Sequence, residues 1–444
     1  MSTPTGLIVA APASGSGKTT ITLGLLRALR RRGIDVASAK IGPDYIDPAF
    51  HAAATGRPCP NLDSWAMRPE TLAAARPSDA NLVVAEGVMG LFDGANLGEE
   101  HDPFGDGSTA SIARRTGWPV VLVVDAARQA QSIAALVAGF ANFDPEITLA
   151  GVILNRVGSA RHEEMLRRAL LNNGHPVLGA VRADKAIERP SRHLGLVQAG
   201  EHPDLEAFLD QAADKMDAEL DIKAIIAAAR AGSTATNGSA AAAPLPPLGQ
   251  RIAVARDAAF AFTYPHVLDD WRKAGADLSF FSPLADEAPA KDADAVYLPG
   301  GYPELHAGRI ASAGTFLKAV RQLAGSGAAI YGECGGYMVL GESLTDADGK
   351  AHPMLALLPH ATSFAAPKRH LGYRVAEALA ATPLGPAGSV WRGHEFHYAC
   401  DVGSVAGTQL FRISDASGAE LGTIGGCSGS VFGSFLHLID RSGT

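Results

Sequence analysis

The sequence predicts an α/β protein of two domains, each built on a doubly wound parallel sheet. First, the chain has 444 residues, more than the roughly 100–200 residues of a typical single domain. Second, short apolar runs alternate with amphipathic stretches in both halves of the chain, as strands and helices do in such sheets. Third, a stretch of small residues and prolines at 232–249 separates the halves. We therefore expect domains at 1–228 and 250–444, joined by a linker at 229–249.

Composition and charge narrow the class of protein. Hydrophobic residues make up 47% of the chain and charged residues 19%, a balance typical of a globular protein. The net charge of -8 includes no basic block, so we expect no nucleic-acid partner. The first residues lack the pattern of a signal peptide, and no apolar run reaches the ~18 residues that cross a membrane. The four cysteines have no CxxC spacing, so we expect a cytoplasmic protein without a membrane partner.

The first half begins with a strand, LIVAA, that runs into the loop APASGSGKTT and then a helix at 19–32. This is the context of a phosphate-binding loop, although Pro12 stands where the motif normally has its first glycine. Lys18 reaches the outer phosphates and Thr19 offers a hydroxyl to Mg²⁺, so we predict ATP rather than a glycine-rich turn. A later strand, GVILNRV, ends in Asn155, which either reads the nucleotide base or satisfies backbone groups. The predicted ATP-binding residues are Gly15, Ser16, Gly17, Lys18, Thr19, Thr20 and Asn155.

Acidic residues follow two further predicted strands. DVASAK runs into IGPDYIDPAF, which places Lys40, Asp44 and Asp47 at the carboxyl end of a strand. Open α/β sheets bind ligands at that edge. NLVVAEG carries Glu86 at its end and Asp93 follows, and an acid that ends a buried strand fits a Mg²⁺ ligand. The alternatives for these acids are turn positions or a helix cap.

The second half contains G-x-C-x-G at a predicted strand-to-helix transition, AAIYGECGG. This is a nucleophile elbow with Cys334 in the place of serine. We expect the N-terminus of the following helix to lower the thiol pKa, and the Gly335 N–H to stabilise an oxyanion. The strand DAVYLPGG ends in Gly300 and Gly301, whose N–H groups either complete the oxyanion hole or form a structural turn. We assign the oxyanion to Gly301 and Gly335.

A general base for this thiol has to be a histidine that is distant in sequence. His437 follows the apolar run VFGSFL, which would present it at the tip of a strand, and it is our first candidate. His397 is the second. A hydrogen-bonded structural histidine is the default interpretation for His360, His370 and His394.

Together these segments resemble the cobyrinic acid / hydrogenobyrinic acid a,c-diamide synthase family over nearly the whole chain. The resemblance rests on PASGSGKTT, KIGPDYIDP, AEGVMGLFDG, LPGGYPEL, GECGGYM, GHEFHY and GSFLHL. It implies a dethiobiotin-synthetase-like P-loop domain followed by a flavodoxin-like class I glutamine amidotransferase domain. It further implies that glutamine is hydrolysed through a thioester. ATP then phosphorylates the a and c acetate groups of a corrin precursor, and ammonia displaces the phosphate.

The resemblance also implies roles for individual residues. Cys334 carries the thioester and His437 is its base. Many such amidotransferases have a glutamate two residues after the histidine, where this chain has Ile439, so we predict a Cys–His pair whose orienting partner is unknown. The residues assigned to activation of the substrate carboxylate are Lys40, Asp44, Asp47 and Asp93. The residues assigned to Mg²⁺ are Thr19, Asp47 and Glu86.

Several alternatives stay open. The acceptor is either the corrin precursor, with or without cobalt, or another tetrapyrrole such as nickel sirohydrochlorin, or the corrin at other carboxylates, as in cobyric acid synthase. IGPDYIDP and EGVMGLFDG favour the a,c-diamide branch. A ParA-like nucleotide switch is the alternative outside enzymes, and a ligase driven by free ammonia is the alternative if the thiol domain is degenerate. We also expect a homodimer.

Overall fold

The computed structural model describes residues 4–98, 105–187, 197–231, 245–402 and 407–442. These residues form two compact units. The first unit contains 4–65, 72–94, 105–187 and 197–231, and the second contains 66–71, 95–98, 245–402 and 407–442. Two short segments of the N-terminal half therefore belong to the second unit, which the sequence did not predict. Most of the predicted linker, 232–244, lies outside the described residues, so the predicted domain bounds stay predictions.

The first unit is built on an eight-stranded sheet. Its strands are β1 Thr5–Ala10, β2 Val36–Ile41, β3 Asn61–Leu62, β4 Leu82–Glu86, β5 Val120–Asp125, β6 Leu149–Val157, β7 Val177–Arg182 and β8 Arg230–Ala231. Seven are parallel, in the order β3-β2-β4-β1-β5-β6-β7, and β8 pairs antiparallel with β1. The middle strands are buried along almost their whole length, which explains their continuous apolar runs.

Eight α-helices occur among the described residues of the N-terminal half. They are α1 Lys18–Arg31, α2 Asp47–Thr55, α3 Pro69–Ala75, α4 Thr109–Thr116, α5 Ile133–Phe143, α6 Ala160–Leu171, α7 Leu205–Glu219 and α8 Ile222–Ala228, with 3-10 turns at Lys185–Ile187 and Ala199–Glu201. Helix α1 packs closely on α7 because Gly24 has no side chain: a Cβ there would lie 2.6 Å from Met216 Cγ. Arg27 of α1 also donates to Asp210 of α7 at 2.8 Å.

The second unit contains a ten-stranded sheet and a smaller four-stranded one. The strands of the large sheet are β9 Arg251–Ala255, β10 Asp277–Phe281, β11 Ala295–Leu298, β12 Ala329–Glu333, β16 His370–Ala378, β17 Val390–His397, β19 Thr408–Ser414, β20 Glu420–Ser428, β21 Val431–Ser434 and β22 Leu436–Arg441. Those of the small sheet are β13 Ser343–Thr345, β14 Ala351–Pro353, β15 Ala361–Ser363 and β18 Cys400–Val402. The helices are α9 Pro265–Lys273, α10 Ala307–Ala311, α11 Gly314–Gly325 and α12 Gly335–Leu340, with 3-10 turns at Pro283–Ala285 and Pro303–His306.

The large sheet changes character along its order, β10-β9-β11-β12-β21-β20-β19-β16-β17-β22. Its first five strands are parallel, as the prediction required. From β21 onward the neighbours pair antiparallel. The predicted α/β class is confirmed, and the late β-rich segments do rejoin the same sheet. None of the described helices is both long and apolar enough to cross a membrane.

One ion pair explains why a segment of the N-terminal half belongs to the second unit. Arg68 donates through Nε to the Asp440 carboxylate at 3.0 Å, and the Arg68 backbone N–H donates to the same side chain at 2.9 Å. Asp440 is fully buried near the end of β22. A buried carboxylate needs such a partner, so residues 66–71 complete the second unit.

Candidate functional site

The phosphate-binding loop lies between β1 and α1. Gly15 and Gly17 have φ values of 80° and 86°, in the left-handed region that favours glycine. Gly17 is restricted further, because a Cβ there would lie 2.2 Å from Asn155 Nδ2. The Ser16 hydroxyl donates to the Ala13 carbonyl at 2.8 Å and braces the turn. The local sequence therefore dictates the loop, and the backbone N–H groups of α1 begin directly after it.

Thr19, Lys40, Asp47 and Glu86 meet in a buried cluster beside this loop. The Thr19 hydroxyl donates to Glu86 at 2.5 Å. The Lys40 ammonium donates to Glu86 at 2.9 Å and to Asp47 at 2.7 Å. Burial opposes the charge on Lys40, but Asp47 and Glu86 outweigh it and raise the Lys40 pKa. The structure thus brings together all three predicted Mg²⁺ ligands and two predicted substrate residues, Lys40 and Asp47, the latter having been assigned to both roles.

His51 belongs to the same cluster, and the sequence prediction missed it. Its Nε2 donates to Glu86 at 2.7 Å, and both side chains are fully buried. Burial opposes protonation of His51, but Cys59 and Glu86 outweigh it and raise its pKa to about 10. Burial also opposes ionisation of Glu86, whose pKa is nevertheless lowered to about 2 by Lys40 and His51. The signal was present in the spacing: His51 lies four residues after Asp47, on the same face of α2.

Asp44 and Asp93 make the turn contacts that were the alternative interpretation for them. Asp44 Oδ1 accepts from the N–H of Ile46 at 2.8 Å, just before α2. Its carboxylate also lies 3.8 Å from the Lys40 ammonium. Asp93 Oδ2 accepts from the Gly90 N–H at 2.8 Å in the loop after β4. A role for either acid towards the substrate carboxylate stays a prediction.

A cavity of about 320 Å³ opens beside the loop and is lined by Gly17 and Thr20 together with Asn155, Arg156 and Arg182. Its volume is within the range of small-molecule pockets, roughly 300–1,000 Å³. Asn155 Nδ2 donates to the Ser16 carbonyl at 2.8 Å, so this amide does satisfy a backbone group while it lines the cavity. The interpretation that Asn155 satisfies backbone groups therefore has a structural counterpart, and contact with a nucleotide base stays a prediction.

Among the described residues, two groups that offer ligand atoms for a metal ion can be compared. Thr19, Asp47 and Glu86 present oxygen atoms only, which is the donor chemistry that Mg²⁺ prefers. In the second unit, ligand atoms of His370, Glu395 and His397 lie within 4.8 Å of one another. There, however, the Arg374 guanidinium already donates to Glu395 at 2.7 Å, and its charge opposes a cation. The acids of the first group also have a cationic partner, Lys40, so the oxygen-only donor set is what makes this group the better fit for Mg²⁺.

Cys334 lies between β12 and α12 with φ 47° and ψ -105°, an uncommon conformation for a side chain other than glycine. The flanking glycines are required by close packing: a Cβ at Gly336 would lie 1.8 Å from the Leu298 carbonyl oxygen. The pKa of the Cys334 thiol differs from the sequence-based expectation. Burial, followed by the charge of Glu304, raises the pKa of Cys334, and the favourable Gly335 N–H does not offset them. The expected lowering was wrong because the sequence pattern does not reveal how deeply the thiol is buried.

The predicted oxyanion and base residues lie next to Cys334. A Cβ at Gly300 would lie 2.3 Å from His437 Cε1, 2.9 Å from His437 Nε2 and 3.3 Å from Cys334 Cβ. Gly300 therefore lies against both residues, and its lack of a side chain leaves room for them. A Cβ at Gly335 would lie 3.0 Å from the Gly301 nitrogen, so the two predicted oxyanion donors are also neighbours.

The candidate histidines of the second unit have different surroundings. His437 is buried on β22, and burial, followed by His394 and His397, lowers its pKa to about 3, so the imidazole is neutral. Both ring nitrogens of His397 are engaged, with the Ala399 carbonyl and with Glu395, each at 2.9 Å. His360 stacks on the Tyr337 ring at 4.0 Å between centroids. His437 is thus the histidine that the geometry offers to Cys334.

Glu333, the residue before Cys334, was also missed. It is buried, and its carboxylate accepts from the Tyr297 hydroxyl at 2.6 Å and from the Tyr331 hydroxyl at 2.7 Å. Its nearest oxygen lies 3.9 Å from His437 Nδ1. Burial raises the pKa of Glu333 to about 7. Because glutamate occupies the variable x position of G-x-C-x-G, the motif gave no reason to single it out.

Both parts of the chain match models of known protein families. Residues 7–197 match the CobQ/CobB/MinD/ParA nucleotide binding domain, and residues 251–443 match the CobB/CobQ-like glutamine amidotransferase domain. The chain is 56% identical over 446 residues to a hydrogenobyrinate a,c-diamide synthase of Brucella anthropi and 57% identical over 446 residues to that of Brucella abortus, with 99% of each chain covered. It is 55% identical to the Rhizobium meliloti enzyme of the same name over 444 residues, which cover 98% of this chain and 99% of that one. The family prediction is confirmed: the chain belongs to the hydrogenobyrinate a,c-diamide synthase family.

Proposed function

We propose that this protein uses ATP and glutamine to convert the a and c acetate carboxylates of hydrogenobyrinate, the metal-free corrin precursor, into amides. One observation carries the proposal: end-to-end identity of 55–57% with relatives of that name, in a chain that has both a phosphate-binding loop and a Cys–His site. Neither site alone would support it. A P-loop is common to many switches, and a reactive cysteine is common to many hydrolases.

The first unit solves the problem that a carboxylate does not react with ammonia. Transfer of the ATP γ-phosphoryl group to a carboxylate oxygen converts that oxygen into a leaving group. The loop N–H groups and Lys18 bind the phosphates, while Lys40 carries the positive charge next to Asp47 and Glu86. Thr19, Asp47 and Glu86 would hold Mg²⁺, which when bound neutralises phosphate charge.

The second unit supplies ammonia. The Cys334 thiol gives its proton to His437 Nε2, and the thiolate attacks the amide carbonyl of glutamine. The N–H groups of Gly301 and Gly335 stabilise the oxyanion. His437 then protonates the departing nitrogen, ammonia leaves, and water hydrolyses the thioester to glutamate.

The test is a mass-spectrometric assay with ATP and glutamine, offering hydrogenobyrinate, cobyrinate and a nickel sirohydrochlorin in separate reactions. Hydrogenobyrinate is expected to lose mass in two steps, each equal to the replacement of one hydroxyl by one amino group. ADP should form in step with each amide. Reaction of the sirohydrochlorin alone would overturn the proposal, and ATP hydrolysis that ignores glutamine would favour the nucleotide switch.

We also propose that the enzyme requires Mg²⁺, works in the cytoplasm and forms a homodimer. The oxygen-only donor set supports the metal. Four free cysteines, Cys59, Cys334, Cys400 and Cys427, support a reducing compartment. The ring of Phe143, which is 73% exposed, packs on that of Phe92 at 4.5 Å, an aromatic surface that supports pairing with a second copy. Chelation of metal should abolish activity, and light scattering that reports only a monomer would contradict the dimer.

A further inference from the structure

Glu333 has the hydrogen-bond pattern of an ionised carboxylate. Its Oε2 accepts from the Tyr297 hydroxyl at 2.6 Å, and its Oε1 accepts from the Tyr331 hydroxyl at 2.7 Å and the Leu438 N–H at 3.2 Å. Only 3% of the residue is exposed. Three donors directed at one carboxyl group favour its charged form, and the raised pKas of both tyrosines keep their hydroxyls protonated as donors.

The same carboxylate lies on the far side of His437 from the thiol. Glu333 Oε2 is 3.9 Å from His437 Nδ1. The Nε2–Cε1 edge of the ring faces Gly300, which also lies against Cys334. Acid, imidazole and thiol therefore follow one another in the order found in Ser-His-Asp and Cys-His-Asp sites. Two residues after His437, Ile439 offers no acid: it is fully buried and its carbonyl accepts from His266 at 3.0 Å.

We propose that Glu333 is the positioning residue of His437 and the counter-charge for the imidazolium that forms when His437 takes the Cys334 proton. This rests on the proposed glutamine hydrolysis and names a residue that acts through His437. The proton moves from Cys334 Sγ to His437 Nε2, while Glu333 stays ionised with its Oε2 3.9 Å from His437 Nδ1. Without a nearby negative charge, an imidazolium in this buried site would be costly, because buried charges need a partner.

The other titratable and charged groups around this site come from several elements. Tyr264 lies edge-on to His437, with 6.4 Å between ring centroids, and His394 pairs with His437 across β17 and β22. Burial and the charge of Arg374 lower the pKa of His394 to about 3, so it is neutral. The acids Glu304 and Glu395 also act on this site and raise the pKa of the thiol. Glu333 places a carboxylate oxygen 3.9 Å from His437 Nδ1, where it can balance a charge on the imidazolium.

The experiment compares the full-length wild type with Glu333→Gln, which keeps the size of the side chain and one acceptor oxygen but removes the charge and replaces the other oxygen with an NH2 donor. Glutamine hydrolysis, measured as glutamate formed in the presence of ATP, should fall in kcat by at least about tenfold, with KM for glutamine changed by less than about twofold. Amidation driven by free ammonia should be unchanged. The thermal midpoint at neutral pH should not fall, since a buried carboxyl with a raised pKa destabilises the fold once it is ionised.

The pH profile separates a positioning role from a structural one. Wild-type hydrolysis should decline as pH falls through about 7, the pKa of Glu333, and the Gln variant should lack this decline. Tyr331→Phe removes one donor to the carboxylate, so the decline should move to higher pH.

Three results would overturn the inference: a Glu333→Gln variant with wild-type kcat, equal losses with glutamine and with ammonia, or an unshifted profile in Tyr331→Phe. If Cys334→Ala still hydrolyses glutamine, the proposed function itself is wrong. Full activity of Glu333→Gln alongside an inactive Cys334→Ala contradicts only this inference.

Discussion

Glu86 and Glu333 end strands of the first and the second sheet, and both are buried, yet their pKa values are shifted in opposite directions. Burial opposes ionisation of both. Around Glu86, Lys40 and His51 supply positive charge, and the pKa falls to about 2. Around Glu333, the donors are two neutral hydroxyls and an N–H group, and the pKa rises to about 7. The charge of the neighbours, rather than the depth of burial, decides the sign of the shift.

The opposite pKa shifts of Glu86 and Glu333 suit two kinds of chemistry. A site that binds ATP phosphates gains from acids that stay charged at every physiological pH, because metal and ammonium groups then stay in place. A site that moves a proton gains from groups whose charge can change near neutrality. The comparison predicts that substitutions in one unit impair the chemistry of that unit without impairing the chemistry of the other, and that the physical reason differs between the units.

The largest effect is expected from Cys334→Ala, which tests the independence of the units. Removal of the nucleophile should lower glutamine-dependent amidation by a factor of about 10³ or more. Amidation with ammonium salts should keep the wild-type rate, because the phosphate loop and the Lys40 cluster are untouched. Cys427→Ala is the matched control and should leave both rates unchanged. Loss of the ammonia-driven rate in Cys334→Ala would contradict the separation.

The second effect concerns the charged cluster itself. Lys40→Met leaves Asp47 and Glu86 buried without their ammonium, and removal of one partner of a buried pair costs about 3–5 kcal/mol. We expect a matching fall in the free energy of unfolding, measured in urea, and loss of activity with both nitrogen sources. Lys273→Met removes an ammonium that is 67% exposed, and should cost almost nothing. Equal stability of the two variants would show that the cluster is not held by Lys40.

A smaller effect is expected from His51→Asn, which weakens the positive surroundings of Glu86. The Mg²⁺ concentration for half-maximal activity should rise about 10- to 100-fold, the usual cost of losing a group that orients a metal ligand. Stability should respond to pH as well. The raised pKa of His51 stabilises the fold fully below about 6.5, and this contribution is lost as pH rises towards about 10. The Asn variant should lack that decline, and a wild-type-like decline would contradict the prediction.

The smallest effect is expected from Asn155→Ala at the cavity beside the loop. The change removes one hydrogen bond to the Ser16 carbonyl, which is worth about 1 kcal/mol, so KM for ATP should rise roughly fivefold. The maximal rate should stay near that of the wild type. A fall in kcat with an unchanged KM would mean that Asn155 acts in the chemical step instead.

The sequence was informative where a function depends on neighbours along the chain. The phosphate loop and the cysteine elbow each need glycines at fixed spacing, and the structure shows the close contacts that exclude a Cβ at Gly17 and Gly336. Contacts between distant segments were not predictable in the same way. Leu438 donates to Glu333 across 105 positions of the chain, so the surroundings of Glu333 exist only after the fold has brought Leu438 against it. The expected lowering of the Cys334 pKa was wrong for the same reason, because the burial of the thiol is produced by the whole fold.

The Arg68–Asp440 pair has a consequence for how this protein can be divided. A gene cut at residue 250 would encode every strand of the amidotransferase sheet but would lack the guanidinium that neutralises Asp440 near the end of β22. That fragment would carry an unpaired charge in its interior, three residues after His437 on the same strand. We expect it to fold poorly unless Asp440 is replaced or the missing peptide is supplied. The amidotransferase domain therefore depends on the N-terminal half for the charge partner of Asp440 as well as through the peptide backbone. If the two domains were encoded separately, Asp440 would need another partner.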